Sequence, residues 1–189
     1  MTGIPNHAKK VFEGICFNIY QWEQKQFDGT YKTFEAVKKT DNVRVIAVDE
    51  DEKLLIIYEE QPNKAPFYTF IGGTKEENEE PIKTAQRELL EETGMTSDNI
   101  ELFKTYSWTG RTVWDVYIFI ARNCKKIQEP SLESGEKIKI LKLDFDEFIE
   151  IVSSDKFGNK EISNDFYRMK HNKEKLEKLK ERIFRKTNF

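Results

Sequence analysis

Histidine and cysteine are almost missing from this chain. Of 189 residues only two are His, His7 and His171, and they stand near opposite ends. A Ser/His/Asp hydrolase has little to build on. The two cysteines, Cys16 and Cys124, lack metal-ligand spacing, and no signal peptide precedes them. They read as free thiols in a reducing cytoplasm. No apolar run reaches the ~20 residues that span a membrane. Internal repeats and low-complexity linkers are absent too. Excess positive charge is also missing: the net charge of −3 argues against generic nucleic-acid binding.

What is present is a globular composition, 38% hydrophobic and 34% charged. The length suits one domain with extensions. Dense β-branched and aromatic residues predict a strand over 11–20. Asp28-Gly29 is a hairpin signal, with a returning strand over 31–37. Further strands are expected at 43–48, 54–58, 67–71, 100–108, 113–121 and 137–143. The run 113–120 is apolar enough to be buried on both faces. Asp144 and Glu147 form a capping-box pattern ahead of Phe145, Phe148, Ile149 and Val152. The tail, 164–189, reads as one amphipathic helix with Leu176, Leu179 and Ile183 on a face. That face either packs on the body or on a second copy, or the tail's cations form a basic patch.

The most informative stretch is 73–95, GTKEENEEPIKTAQRELLEETGM. Pro81 suits a first helical turn, and Ile82, Ala85 and Leu89 make one apolar stripe. Gly94 supplies a left-handed stop. Glu88, Glu91 and Glu92 share the neighbouring face, where like charges three and four apart cost ~0.2–0.5 kcal/mol per pair. Arg87 offsets part of that repulsion. Two readings follow from the helix alone: a solvated acidic face, or hard oxygen ligands for a divalent cation.

Gly73, Glu79 and the run Arg87-Glu88-Leu89-Leu90-Glu91-Glu92-Thr93-Gly94-Met95 resemble the Nudix box, Gly-x5-Glu-x7-Arg-Glu-U-x-Glu-Glu-x-Gly-U with U bulky and apolar. Every fixed letter is present. Phe34-Glu35, Glu60-Gln61, Gly72-Gly73 and Gly135-Glu136-Lys137-Ile138 extend the resemblance over about 11–155, toward the ADP-ribose pyrophosphatase branch. The order of expected elements and the resemblance agree on an α/β fold: an α/β/α sandwich around a mixed β-sheet, with a small N-terminal antiparallel lobe and, from the tail's pattern, a C-terminal helix. Together with the tail read above, the chain divides into 1–38, a lobe to which the resemblance gives dimerisation and nucleotide contact, 39–155, the hydrolase core, and 156–189, a helical extension.

The resemblance implies hydrolysis of a nucleoside diphosphate linked to another group, ADP-ribose or a related nucleotide sugar, with Mg²⁺ or Mn²⁺. Glu88, Glu92 and the Gly72 carbonyl are the implied metal ligands, with Glu91 a ligand or close to one. Arg87 and Glu79 hold the carboxylates. Glu136 or Glu133 is the implied general base. A homodimer is implied, and no membrane partner. Two departures stand out. Gln61-Pro62-Asn63 lacks the Arg usual after that Gln, and Ser107-Trp108-Thr109-Gly110-Arg111 lacks the Pro of a Ser-Pro-Gly turn. On charge grounds Arg111 or Lys75 could meet phosphate. Trp22, Tyr31 or Trp108 could stack on a base. Two other readings remain from the sequence: an RNA 5′-end or dinucleoside polyphosphate hydrolase, and a non-catalytic nucleotide sensor.

Overall fold

A computed structural model describes residues 3–132 and 137–185. The chain begins with three antiparallel strands, β1 (Lys9–Glu13), β2 (Phe17–Lys25) and β3 (Tyr31–Lys39). The expected hairpin turn is present: Gly29 has φ +88°, and the Asp28 carboxylate accepts from the Thr30 N–H and hydroxyl. The single strand expected over 11–20 is instead two. Gly14 turns the chain, its N–H donating to the Phe17 carbonyl at 2.9 Å, so the apolar run folds back on itself.

The core follows with β4 (Asn42–Asp49), β5 (Leu54–Glu60), β6 (Phe67–Thr69), α1 (Pro81–Thr93), β7 (Met95–Thr96), β8 (Asn99–Trp108), β9 (Thr112–Lys126), β10 (Lys137–Leu143), α2 (Phe145–Val152), α3 (Lys160–Lys170) and α4 (Lys173–Ile183). Strand β9 is the spine. It takes β8 antiparallel on one edge and β4, then the end of β3, parallel on the other. β5 pairs with β10 along its whole length but touches β4 only at Ala47↔Leu55 and Val48↔Leu54. Beyond that contact the two strands part and β6 enters the gap. It pairs with β5, and the residues after it bridge to β4 at Val45↔Ile71 and Asn42↔Thr74. This insertion brings Gly72 and Gly73 beside Val43.

Side-chain alternation along the strands builds two cores. Val43, Val45, Ala47, Leu55, Ile57, Phe119 and Ala121 face α1, meeting Ala85 and Leu89. Ile46, Val48, Leu54, Ile56, Val116, Ile118 and Ile120 face the other helices, meeting Phe148, Val152, Phe166, Leu179 and Ile183. The expected sandwich with helices on both faces is observed, and β9 is buried on both, as its composition predicts. The tail is two helices rather than one. Asn172 interrupts it and caps α4, its side chain accepting from the Lys175 N–H at 3.0 Å. Among the described residues, no helix is long and apolar enough to cross a membrane.

Candidate active site

The loop between β6 and α1 approaches β4 more closely than a side chain allows. Gly72 has φ +133°, and a Cβ there would lie 2.2 Å from the Val43 carbonyl oxygen. A Cβ on Gly73 would meet Glu88 Oε1 at 2.4 Å, so glycine lets a carboxylate press against the backbone. Gly72→Ala is expected to lose about 1–3 kcal/mol from backbone strain alone, read as a lowered denaturation midpoint. An unchanged midpoint would contradict the close approach.

Helix α1 presents the acidic groups to this loop. It starts at Pro81 and stops at Gly94, whose φ is +69° and whose N–H donates to the Leu90 carbonyl at 2.8 Å. Burying Ala85 and Leu89 against the sheet fixes its rotation, which turns Glu88 and Glu92 toward the glycines. Glu92 Oε2 accepts from the Gly72 N–H at 2.7 Å. Arg87 is the hub of the cluster. Its Nη1 donates to Glu88 Oε1 at 2.8 Å and to Glu91 Oε2 at 3.0 Å. Its Nε donates to Glu79 Oε1 at 3.2 Å, and its Nη2 to the Thr74 carbonyl at 3.2 Å.

The carboxyls are tuned in opposite directions. Burial pushes Glu88 above its ordinary value and Glu91 adds to the rise, while Arg87 pulls against both. Burial also works against the Glu79 carboxylate, but donors from Arg87, Thr84 and the Glu76 N–H outweigh it and hold Glu79 at about 2. A carboxyl lowered from 4.5 to about 2 stabilises the fold fully above pH 4.5. That contribution fades as pH falls toward 2. Glu79→Gln is therefore expected to be less stable than wild type near neutrality and to lose less stability across that acid window. Denaturant titrations at stepped pH read this, and parallel wild-type and variant curves would count against it.

Gly72, Gly73, Lys75, Arg87, Glu88, Glu91 and Glu92 line one cavity of about 330 Å³, closed on one side by Ser131 and Leu132. Its oxygen-only donor set suits a hard divalent cation. As the side chains stand, no three such groups among the described residues converge on one point, because Arg87 Nη1 sits between Glu88 and Glu91 and supplies the positive charge they need. The donors fit a cation once that guanidinium yields part of its place.

Other expected site residues are more scattered. Lys75 Nζ donates to the Glu76 and Glu79 carbonyls at 3.1 and 3.2 Å, pinning the loop. Trp22 and Tyr31 are on the N-terminal lobe, where Trp22 packs on Phe34 across the hairpin. Arg111, on the β8–β9 turn, lies over the same Phe34 ring at 5.7 Å. Trp108 stacks on Trp114 at 4.5 Å, nearly parallel. Glu133 and Glu136 lie outside the described residues. The sequence reading missed Thr84, whose hydroxyl donates to Glu79 at 2.8 Å, and Asn42, whose amide reaches Thr74. Both lie outside the periodic apolar pattern and the box letters. A larger cavity of about 620 Å³ lies at the far end of β4 and β9 beside Arg122. There Arg122 donates to the Ile183 carbonyl at 2.8 Å and Glu101 at 3.0 Å, a structural cap on α4.

Comparison with known proteins agrees with this geometry. A NUDIX domain model matches residues 38–166. The chain is 26% identical over 149 residues to an ADP-ribose pyrophosphatase of Bacillus subtilis (strain 168), covering 77% of this chain and 80% of that one. It is 23% identical over 148 residues to a methanol dehydrogenase activator of Bacillus methanolicus, with coverage of 77% and 80%. A solved structure described as an ADP compounds hydrolase superposes with a TM-score of 0.70 at 14% identity, covering 90% of this chain and 94% of that one. The last likeness speaks to the fold. The matched segment holds the glycine loop, the acidic helix and the sheet between them, and the chain belongs to the Nudix family of pyrophosphohydrolases.

Proposed function

We propose that this protein hydrolyses the diphosphate bond of a nucleoside diphosphate joined to a further group, with ADP-ribose or a related nucleotide sugar as substrate and Mg²⁺ or Mn²⁺ as cofactor. The observation that carries this is the gathering of Glu88, Glu91, Glu92 and the Gly72–Gly73 backbone around one cavity. The B. subtilis relative, an ADP-ribose pyrophosphatase, supports the substrate class.

Glu88, Glu91, Glu92 and the Gly72 carbonyl would hold the cation. Held by these residues, a divalent ion would supply charge to neutralise phosphate oxygens and would lower the pKa of a bound water. Arg87 and Glu79 keep the carboxylates aligned, and the Gly72 N–H keeps Glu92 against the loop. For the general base the proposal looks to Glu133 or Glu136. The described stem of their loop leaves from the edge of the cavity. The Ser131 N–H donates to the Glu91 carbonyl at 2.8 Å, and the Ile127 N–H to the Gly94 carbonyl at 2.9 Å. Lys75 and Arg111 are offered as phosphate contacts, and Trp22, Tyr31 and Trp108 as surfaces for the base.

The homodimer belongs to the same proposal. Val11, Phe12 and Phe17 on the N-terminal lobe are about half exposed and Ile15 wholly so, apolar surface that a second copy would cover. A cytoplasmic setting is supported by Cys16 and Cys124, both free. The RNA-end reading has no specific observation in its favour. In the tail, Arg182 and Arg185 engage Glu101, Lys178 engages Glu174, and Lys170 engages Glu150. The sensor reading conflicts with a box that keeps every fixed letter.

The test is a panel of nucleoside diphosphate-linked compounds, each with Mg²⁺, with Mn²⁺ and with chelator. Products are separated by chromatography, and ¹⁸O-labelled water marks the attacked phosphorus. ADP-ribose is expected to yield AMP and ribose phosphate only with metal. Turnover that chelator leaves untouched would overturn the metal part, and silence on every compound would overturn the whole.

A further inference from the structure

Strand β4 is buried at every position except one, and that one carries a charge. Arg44 is half-buried, between Val43 and Val45, both at 0% exposure, and in register with Ile118, also at 0%. A guanidinium in so apolar a strand needs a counter-charge. Among the described residues it takes part in no ion pair. Its hydrogen bond runs from Nη1 to the carbonyl of its own neighbour Val43, at 3.1 Å. Its Nε is buried and has no hydrogen-bond partner.

The location is specific. The Val43 carbonyl that Nη1 grips is the oxygen that excludes a side chain at Gly72, and the Arg44 Cα lies 3.0 Å from the position a Gly72 Cβ would take. The guanidinium is thus folded back onto the Val43 carbonyl opposite Gly72; it does not itself line the cavity of Glu88 and Glu92, but its charge is felt at Glu88. No arginine follows Gln61 at the end of β5. Pro62 and Asn63 make a tight turn there, with Asn63 at φ +61°.

We propose that Arg44 is a phosphate-binding residue of this site, its guanidinium taking non-bridging oxygens of the nucleoside diphosphate on the β4 side of Gly72. The inference rests on the hydrolase reading. The planar fork presents parallel N–H groups to phosphate oxygens. The unpartnered Nε is a donor waiting for such an acceptor. Arg44 breaks no bond and moves no proton; it neutralises charge that the carboxylates on α1 would otherwise repel.

The experiment compares wild type, Arg44→Met and Arg44→Lys as full chains, with circular dichroism to confirm folding. Calorimetry measures Mn²⁺ binding alone and then ADP binding in the presence of Mn²⁺; kinetics give KM and kcat on whichever compound wild type hydrolyses. Arg44→Met is expected to weaken ADP binding and raise KM by at least about tenfold, the scale of a lost charge-assisted pair. Mn²⁺ affinity is expected to stay within about twofold. Arg44→Lys, which keeps the charge and loses the fork, should recover part of the loss, and it carries the test if the Met variant does not fold. ADP affinity and KM that stay at wild-type values in the folded variants overturn the proposal. So does a change confined to Mn²⁺ binding, which would make Arg44 a counter-charge for Glu88. ADP binding that depends on Arg44 in a protein that hydrolyses nothing would uphold the site and sink the hydrolase reading alone. A wild type that binds no ADP overturns the site as well.

Discussion

Glu92→Gln is expected to leave the protein folded and to lower metal-dependent kcat by more than about 100-fold, beyond the 10–100-fold typical of residues that only support a metal ligand. The two halves of that expectation have separate causes. Glutamine has the shape of glutamate, and its amide oxygen can still accept from the Gly72 N–H that now donates to Glu92 Oε2 at 2.7 Å. The loop therefore keeps its anchor, and Leu89 keeps its burial three residues earlier. What disappears is one negative charge from the cavity proposed to hold a divalent cation against a phosphoanhydride. The measurement is kcat at saturating metal beside a thermal melt. Activity within a few-fold of wild type, with an unchanged melt, would remove Glu92 from the ligand set. A melt that collapses would show instead that the carboxylate charge itself holds the loop.

The parts of the site legible in the sequence are those set by local rules. The box letters name Arg87 and its glutamates, Pro81 and Gly94 bound the helix, and Asp144 with Glu147 makes the capping box that opens α2. The apolar alternation of β4, β5 and β9 foretells two cores, and both are found. What escaped the sequence depends on residues far apart in the chain. Arg44 looks like an ordinary polar position in a strand. It matters because β6 wedges between β4 and β5 and brings Gly72 alongside. The stacking of Trp108 on Trp114 is set by the β8–β9 register, which pairs the two across the turn. The split of the tail turns on Asn172, whose capping role rests on one hydrogen bond that composition does not announce.

Phe70→Ala is expected to be the most destabilising single change, at about 3–5 kcal/mol, while leaving the chemistry of the folded fraction nearly intact. Phe70 is fully buried. Its ring meets Phe157 edge-on at 4.8 Å, Phe166 edge-on at 5.8 Å and Phe148 stacked at 6.0 Å. Truncation therefore empties the centre of the core between the sheet and α2–α3. Phe70 is also only two residues before Gly72, so a change there that moved the backbone would displace the loop that holds the carboxylates. Two features argue that it does not. The Phe70 N–H is held by Asn159 Oδ1 at 3.1 Å, a bond the substitution leaves in place. The lost ring also lies on the opposite face of the sheet from α1, whose packing rests on Ala85 and Leu89. Urea titration should show the loss, and kcat measured well below the midpoint should stay within several-fold of wild type. That is the reverse of the Glu92→Gln pattern, in which stability survives and turnover does not. If folded Phe70→Ala were as inactive as Glu92→Gln, the two faces of the sheet would not be mechanically separate, and the position of Gly72 would depend on the far core as much as on β4.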